Sequence, residues 1–125
     1  MSGESILIVD DNRINLKLLR LTLKVGGYDV QTANDAQQAI AILVSFRPRL
    51  ILMDLQLPGM DGLELTRRLK NSEATRDTLI VAVTAYAMNG DERRALAAGC
   101  CGYITKPVDT RTLAATVARM LEVMP

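Results

Sequence analysis

Residues 49–62, RLILMDLQLPGMDG, decide how this chain is read. Leu50, Ile51, Leu52 and Met53 form an unbroken apolar run, and the run stops at a single acid, Asp54. Pro58, Gly59 and Gly62 follow. That is the pattern of a buried strand whose last residue presents a carboxylate, with a turn-rich loop beside it. In open α/β sheets, sites lie beyond the carboxyl ends of the strands. Asp54 is therefore expected at the centre of a site.

The same alternation of apolar run and helical pattern extends in both directions. Residues 5–9 (SILIV) are a short apolar strand stopped by Asp10 and Asp11. Asp11 or Asn12 can cap a helix over residues 12–25, which Gly26 and Gly27 end. Residues 28–33 alternate well enough for a second strand, and Asn34 or Asp35 caps a helix reaching about Phe46. After the strand ending at Asp54, a helix is expected over 63–70, a polar loop over 71–78, and a buried strand over 79–84 (LIVAVT). A helix over 89–98 stops at Gly99. A short strand over 102–105 and a helix capped by Asp109 or Thr110, running to about Val123, complete the chain. Five βα units with continuous apolar strands one, three and four predict a doubly wound (βα)5 parallel sheet, covered by helices on both faces. The order 2-1-3-4-5 is the common small, flavodoxin-like form.

The bulk numbers narrow the function. The chain has 125 residues, which fits one domain over 1–125 with no separate output domain. Lys plus Arg number 15 and Asp plus Glu 14, so overall charge gives no reason to expect nucleic acid or an anionic membrane as partner. With no histidine, Ser/His, Cys/His and His-ligated zinc chemistry are excluded. Cys100 and Cys101 are neighbours and read as reduced thiols. The acids near the N-terminus come too soon for a signal peptide, and no apolar run approaches the roughly 20 residues of a membrane span. A cytoplasmic protein, monomeric or weakly dimeric, is expected.

On the expected scaffold, Asp10, Asp11, Asp54, Thr84 and Lys106 all fall at one edge of the sheet. Three converging carboxylates repel one another unless a cation joins them. Oxygen ligands without His or Cys point to a hard ion, Mg²⁺ first, then Mn²⁺ or Ca²⁺. A lysine and a hydroxyl beside such a carboxylate suit a phosphoryl group. The carboxylate itself can be the phosphoryl acceptor. Taken singly, each of these residues reads as a cap, a turn residue or a solvated charge; their joint order and spacing carry the signal.

That set resembles the receiver domain of two-component response regulators, the CheY-like superfamily. The matching pieces are ILIVDDN at 6–12, LILMDLQLPGMDG at 50–62, VAVTAYAM at 81–88 and AGCCGYITKPV at 98–108. The resemblance covers the whole chain and is nearest to stand-alone receivers of the DivK type or receivers attached to hybrid histidine kinases. It implies that Asp54 accepts phosphate from a histidine kinase or histidine phosphotransfer protein. It implies that Asp11, Asp54 and the backbone carbonyl of Gln56 bind Mg²⁺, with Asp10 acting mainly through a metal-bound water. Lys106, Thr84 and the backbone N–H of Ala85 would hold the phosphoryl oxygens. Gln56 and Tyr86 would flank the path of hydrolytic water. Thr84 and Tyr103 would switch the surface made by the fourth helix, fifth strand and fifth helix, where a downstream protein would bind. The Lys106–Pro107 bond is expected to be cis. The implied activity is self-catalysed phosphotransfer and dephosphorylation rather than conventional turnover.

The first helix carries two apolar stripes at about 100° per residue. Leu16, Leu19 and Leu23 form one; Ile14, Leu18, Leu21 and Val25 form another on nearly the opposite side, with Arg13, Lys17, Arg20 and Lys24 between them. A helix lying on a sheet buries only one stripe fully. Ile14, Leu18 and Leu21, with Pro107, are therefore expected to dock the helical bundle of the phosphodonor. Two other readings stay open: a receiver cut from a hybrid kinase or larger regulator that relays phosphate onward, and a small Mg²⁺-dependent phosphatase of the haloacid-dehalogenase kind. The phosphatase needs a second acid two residues after the first, where this chain has Gln56.

Overall fold

Side-chain alternation along three central strands builds the core on both faces of one sheet. In the computed structural model, which describes residues 3–85 and 90–123, the strands are β1 (Ser5–Val9), β2 (Asp29–Ala33), β3 (Leu50–Asp54), β4 (Leu79–Thr84) and β5 (Gly102–Thr105). The helices are α1 (Arg13–Val25), α2 (Ala36–Ile42), α3 (Gly62–Lys70), α4 (Asp91–Ala98) and α5 (Leu113–Val123). The strands are all parallel and ordered β2-β1-β3-β4-β5, as the sequence pattern predicts. Leu7, Val9, Ile51, Met53, Ile80 and Ala82 face α2, α3 and α4. Ile6, Ile8, Leu50, Leu52, Val81 and Val83 face α1 and α5. Every residue of β3 is buried, which is why its sequence is a continuous apolar run. The edge strand β2 instead alternates between exposed and buried positions.

Caps fix where the helices start. Asn12 accepts the N–H of Asn15 at 3.0 Å and is the N-cap of α1. Asp35 caps α2 through the N–H of Gln38, and Asp61 caps α3 through the N–H of Glu64, each at 2.8 Å. Such a cap is worth about 1 kcal/mol. Three expected boundaries move. α2 ends at Ile42, with turn-type bonds such as Ser45 N–H to the Ile42 carbonyl replacing the last turn before Phe46. α4 begins at Asp91, and residues 86–89 lie outside the described residues. α5 begins at Leu113, because the Asp109 carboxylate accepts the Arg111 N–H and forms a separate turn.

Gly62 sets the distance between α3 and the end of β3. A Cβ there would collide with the Asp54 carbonyl and come within 2.8 Å of the Leu55 Cα. The glycine is needed for close approach, and its backbone N–H donates to the Leu55 carbonyl at 3.2 Å. Gly59 is a turn position with φ of +75°.

Candidate functional site

The carboxyl ends of β1 and β3 bring Asp10 and Asp54 together, both only 2% exposed. Asp54 continues the side-chain parity of Leu50 and Leu52, so its carboxylate lies on the α1–α5 side of the sheet. One carboxylate oxygen from each of Asp10, Asp11 and Asp54 lies within 4.8 Å of the others. Asp11 is exposed and forms the open side of the cluster. Backbone donors orient the two buried acids. The Gln56 N–H donates to Asp54 Oδ1 at 2.9 Å, and the Asn12 N–H donates to Asp10 Oδ1 at the same distance.

Lys106 reaches the pair from the end of β5. Its Nζ lies 3.2 Å from Asp54 Oδ2 and 3.3 Å from Asp10 Oδ2. Its backbone N–H donates to the Thr84 carbonyl at 2.8 Å, which ties it to the end of β4; the Lys106–Pro107 peptide is cis, as expected. Thr84, also 2% exposed, ends β4, and Ala85 follows at the exposed edge. The electrostatics follow from burial. Desolvation pushes the Asp54 carboxyl above its ordinary value; the Gln56 N–H and Lys106 pull it down, and the nearby Asp10 pushes it up. Burial lowers the Lys106 ammonium, but Asp54 and Asp10 outweigh that and leave it above the ordinary lysine value.

This donor set fits a hard divalent cation. It is all oxygen, and it gathers three carboxylates around one lysine, leaving the site short of positive charge. Tyr103 stands apart from the cluster. It is half-buried, pairs with Ala82 across the β4–β5 ladder, and packs into the core on the α2–α3–α4 side. Thr84 follows the parity of Ile80 and Ala82 toward that same side. Tyr86 lies outside the described residues.

The first helix divides as its two stripes require. Leu16, Leu19 and Leu23 are buried, whereas Ile14 is 78% exposed, Leu18 49%, Leu21 51% and Val25 88%. Leu18 also lines a cleft of about 310 Å³ with Asp10, Ala85, Lys106 and Pro107. Two structural features escaped the residue pattern. Gly62 is read there only as a turn, since a backbone approach from another element leaves no local mark. Lys70 ties down the loop after α3 by donating to the Arg76 carbonyl at 2.9 Å and the Thr78 carbonyl at 2.6 Å. A lysine at a helix end followed by a polar loop hints at such a tie only weakly.

A buried acid pair at adjoining strand ends, a lysine just after β5 that reaches both acids and a strand-end threonine, on a 2-1-3-4-5 sheet, define a class of signalling domain. The profile of the response regulator receiver domain matches residues 6–118, and the chain belongs to that family. It is 40% identical over 118 residues to the polar-differentiation response regulator DivK of Brucella anthropi, covering 94% of this chain and 96% of that protein. Among solved structures, it resembles a CheY-like receiver domain protein from Methanospirillum hungatei (32% identity, TM-score 0.89, covering 98% of this chain and 97% of that one). It also resembles the receiver domain of a signal transduction histidine kinase from Syntrophus aciditrophicus (32% identity, TM-score 0.87, covering 97% and 92%). The chain is thus a receiver domain of two-component signalling, a family in which phosphorylation on aspartate and Mg²⁺ binding at an acidic cluster are typical. Among the described residues, no helix is long and apolar enough to cross a membrane.

Proposed function

We propose that Asp54 is the phosphoryl acceptor of this receiver, and that its donor is a phosphohistidine on a histidine kinase or phosphotransfer protein. The single observation that carries this reading is the buried Asp54 carboxylate held between a backbone N–H and the Lys106 ammonium. A carboxylate oxygen of Asp54 attacks phosphorus, forming a P–O bond as the P–N bond of phosphohistidine breaks. The departing imidazole keeps the N–P electron pair and takes up a proton. The product is an acyl phosphate. Water later attacks its phosphorus, releasing inorganic phosphate and restoring the carboxylate.

Asp10, Asp11, Asp54 and the Gln56 carbonyl would hold Mg²⁺, which when bound supplies positive charge to the phosphoryl oxygens. The chain's own residues do the rest. Lys106 neutralises phosphoryl charge. Thr84 and the Ala85 N–H would donate to phosphoryl oxygens, and Gln56 would tune access of water. Thr84 drawn toward the phosphoryl group would give up space on the side where Tyr103 packs. That space would bias Tyr103 between two packings and alter the α4–β5–α5 face for a downstream protein. Ile14, Leu18, Leu21 and Pro107 would receive the donor's helical bundle. Two cysteines without a disulfide fit a reducing compartment, so the cytoplasm is the proposed location.

The test is incubation with ³²P-labelled acetyl phosphate and Mg²⁺, comparing the wild type with Asp54→Asn. Acid-stable but base-labile label on the wild type alone is the expected result. Label retained by the variant would overturn the assignment.

A further inference from the structure

The exposed side of α1 is more specific than an apolar patch. Ile14, Leu18, Leu21 and Val25 form its crest, directly opposite the stripe buried on the sheet. Arg13, Lys17, Arg20 and Lys24 run along one flank of that crest at spacings of three and four residues, and all four are exposed. The helix carries no acid, and none of these four cations forms an ion pair with a carboxylate among the described residues. Three of them line an open groove of about 450 Å³ against β2 and α2, whose other walls include neutral Thr32, Asn34 and Gln38. On the other flank, Leu18 enters the cleft that leads to Asp10 and Lys106. Crest and basic row therefore form one surface that ends at the phosphorylation site.

We infer that this surface selects its phosphodonor by charge: the docked helix presents an apolar ridge edged by Asp or Glu at every third or fourth position over about three turns. This rests on the acceptor reading above and adds the chemistry of the partner. A second copy of the chain is disfavoured as occupant, because pairing two such crests doubles a cationic row that has no acid on the helix to answer it. An anionic membrane would attract the row. It would leave unexplained why the crest runs into the cleft beside Lys106. Unpaired exposed cations act mostly on encounter and on discrimination between partners, so the selectivity is steepest at low salt.

The experiment uses a set of purified, ³²P-labelled kinase dimerisation bundles and phosphotransfer domains, with the fastest donor to the wild type carried forward. Lys17→Glu combined with Arg20→Glu is expected to slow that transfer about 10-fold near 50 mM salt and about 2-fold or less near 500 mM. Labelling by acetyl phosphate should be unchanged. Equal transfer rates for wild type and variant, or an equal loss with acetyl phosphate, would overturn the inference. So would retention on phosphatidylglycerol vesicles that the double variant abolishes without affecting transfer, or a wild-type dimer in sedimentation that Leu18→Ser dissociates. Binding of the same bundle to Asp54→Asn, with and without the charge reversals, separates the two readings. Charge-dependent binding there stands even if Asp54 proves not to be the acceptor.

Discussion

The strand-end cluster and the outer face of α1 break the ordinary partition of residues in opposite directions. At the cluster, two aspartates are buried to 2% exposure; on α1, four aliphatic residues stand between 49% and 88% exposed. Carboxylates are rarely buried unless paired, and a row of large apolar side chains is rarely left in water without a partner. The first region is incomplete in charge, the second in contact. The fold tolerates each for a different reason. Backbone N–H groups and Lys106 hold the acids, while α1 is anchored by its other stripe, so its crest contributes little to stability. Conventional burial thus accounts for the fold, and the two exceptions coincide with the places proposed above for the cation and for the phosphodonor.

The largest test of that contrast compares leucines within one helix. Leu23→Ala, at a fully buried position, should cost about 2–5 kcal/mol in urea unfolding. Leu18→Ala, on the crest, should cost about 0.5 kcal/mol or less. Similar losses at both positions would mean that the crest belongs to the core and is no docking surface.

A second test strips the cluster of its cation. Lys106→Ala leaves Asp10 and Asp54 facing each other with no ammonium, and should destabilise the metal-free protein by about 3 kcal/mol at neutral pH. The sign of its pH dependence follows from Asp54, whose carboxyl is already held above its ordinary value by burial. A raised folded-state carboxyl favours the protonated form, so its stabilising contribution is present at low pH and lost as pH rises through the folded value. Without Lys106 the carboxyl rises further, and the deficit of the variant should shrink as pH falls from 7 toward the carboxylate range. Lys106, also raised, behaves as the other half of the pair. Its contribution is present below the ordinary lysine value of 10.5 and is lost as pH rises through the folded value. A deficit independent of pH would show that Lys106 acts there only through packing.

The smallest effect is a gain. Asp54→Asn removes one of two adjoining buried acids while Lys106 keeps Asp10 at 3.3 Å. Its melting temperature without metal should exceed that of the wild type at pH 8 and approach it near pH 4. Added Mg²⁺ should then raise the wild type more than the variant, since only the wild type keeps all three carboxylates. Scanning calorimetry across pH, with and without Mg²⁺, would read both shifts.

Much of this was legible in the chain. β1, β3 and β4 are runs of Ile, Leu and Val because both faces of each are covered, and a run of that length ending in an acid has few other readings. The two stripes of α1 were equally plain, since the helical period is local. The later starts and earlier ends of α2, α4 and α5 were not. They depend on whether a residue such as Asp109 caps a helix or closes a turn with Arg111, which neighbouring side chains decide.

By itself, the sequence determined the order of elements, the parallel sheet and the five polar positions, because periodicity and strand-end chemistry are properties of consecutive residues. Only the tertiary structure decided that Lys106 lies within 3.3 Å of both Asp10 and Asp54, that Gly62 must lack a Cβ against the Asp54 backbone, and that Leu18 of the α1 crest lines the cleft beside them. Those relations join residues far apart in the chain. They are fixed by strand register and by the packing distance between helix and strand, neither of which a local pattern records.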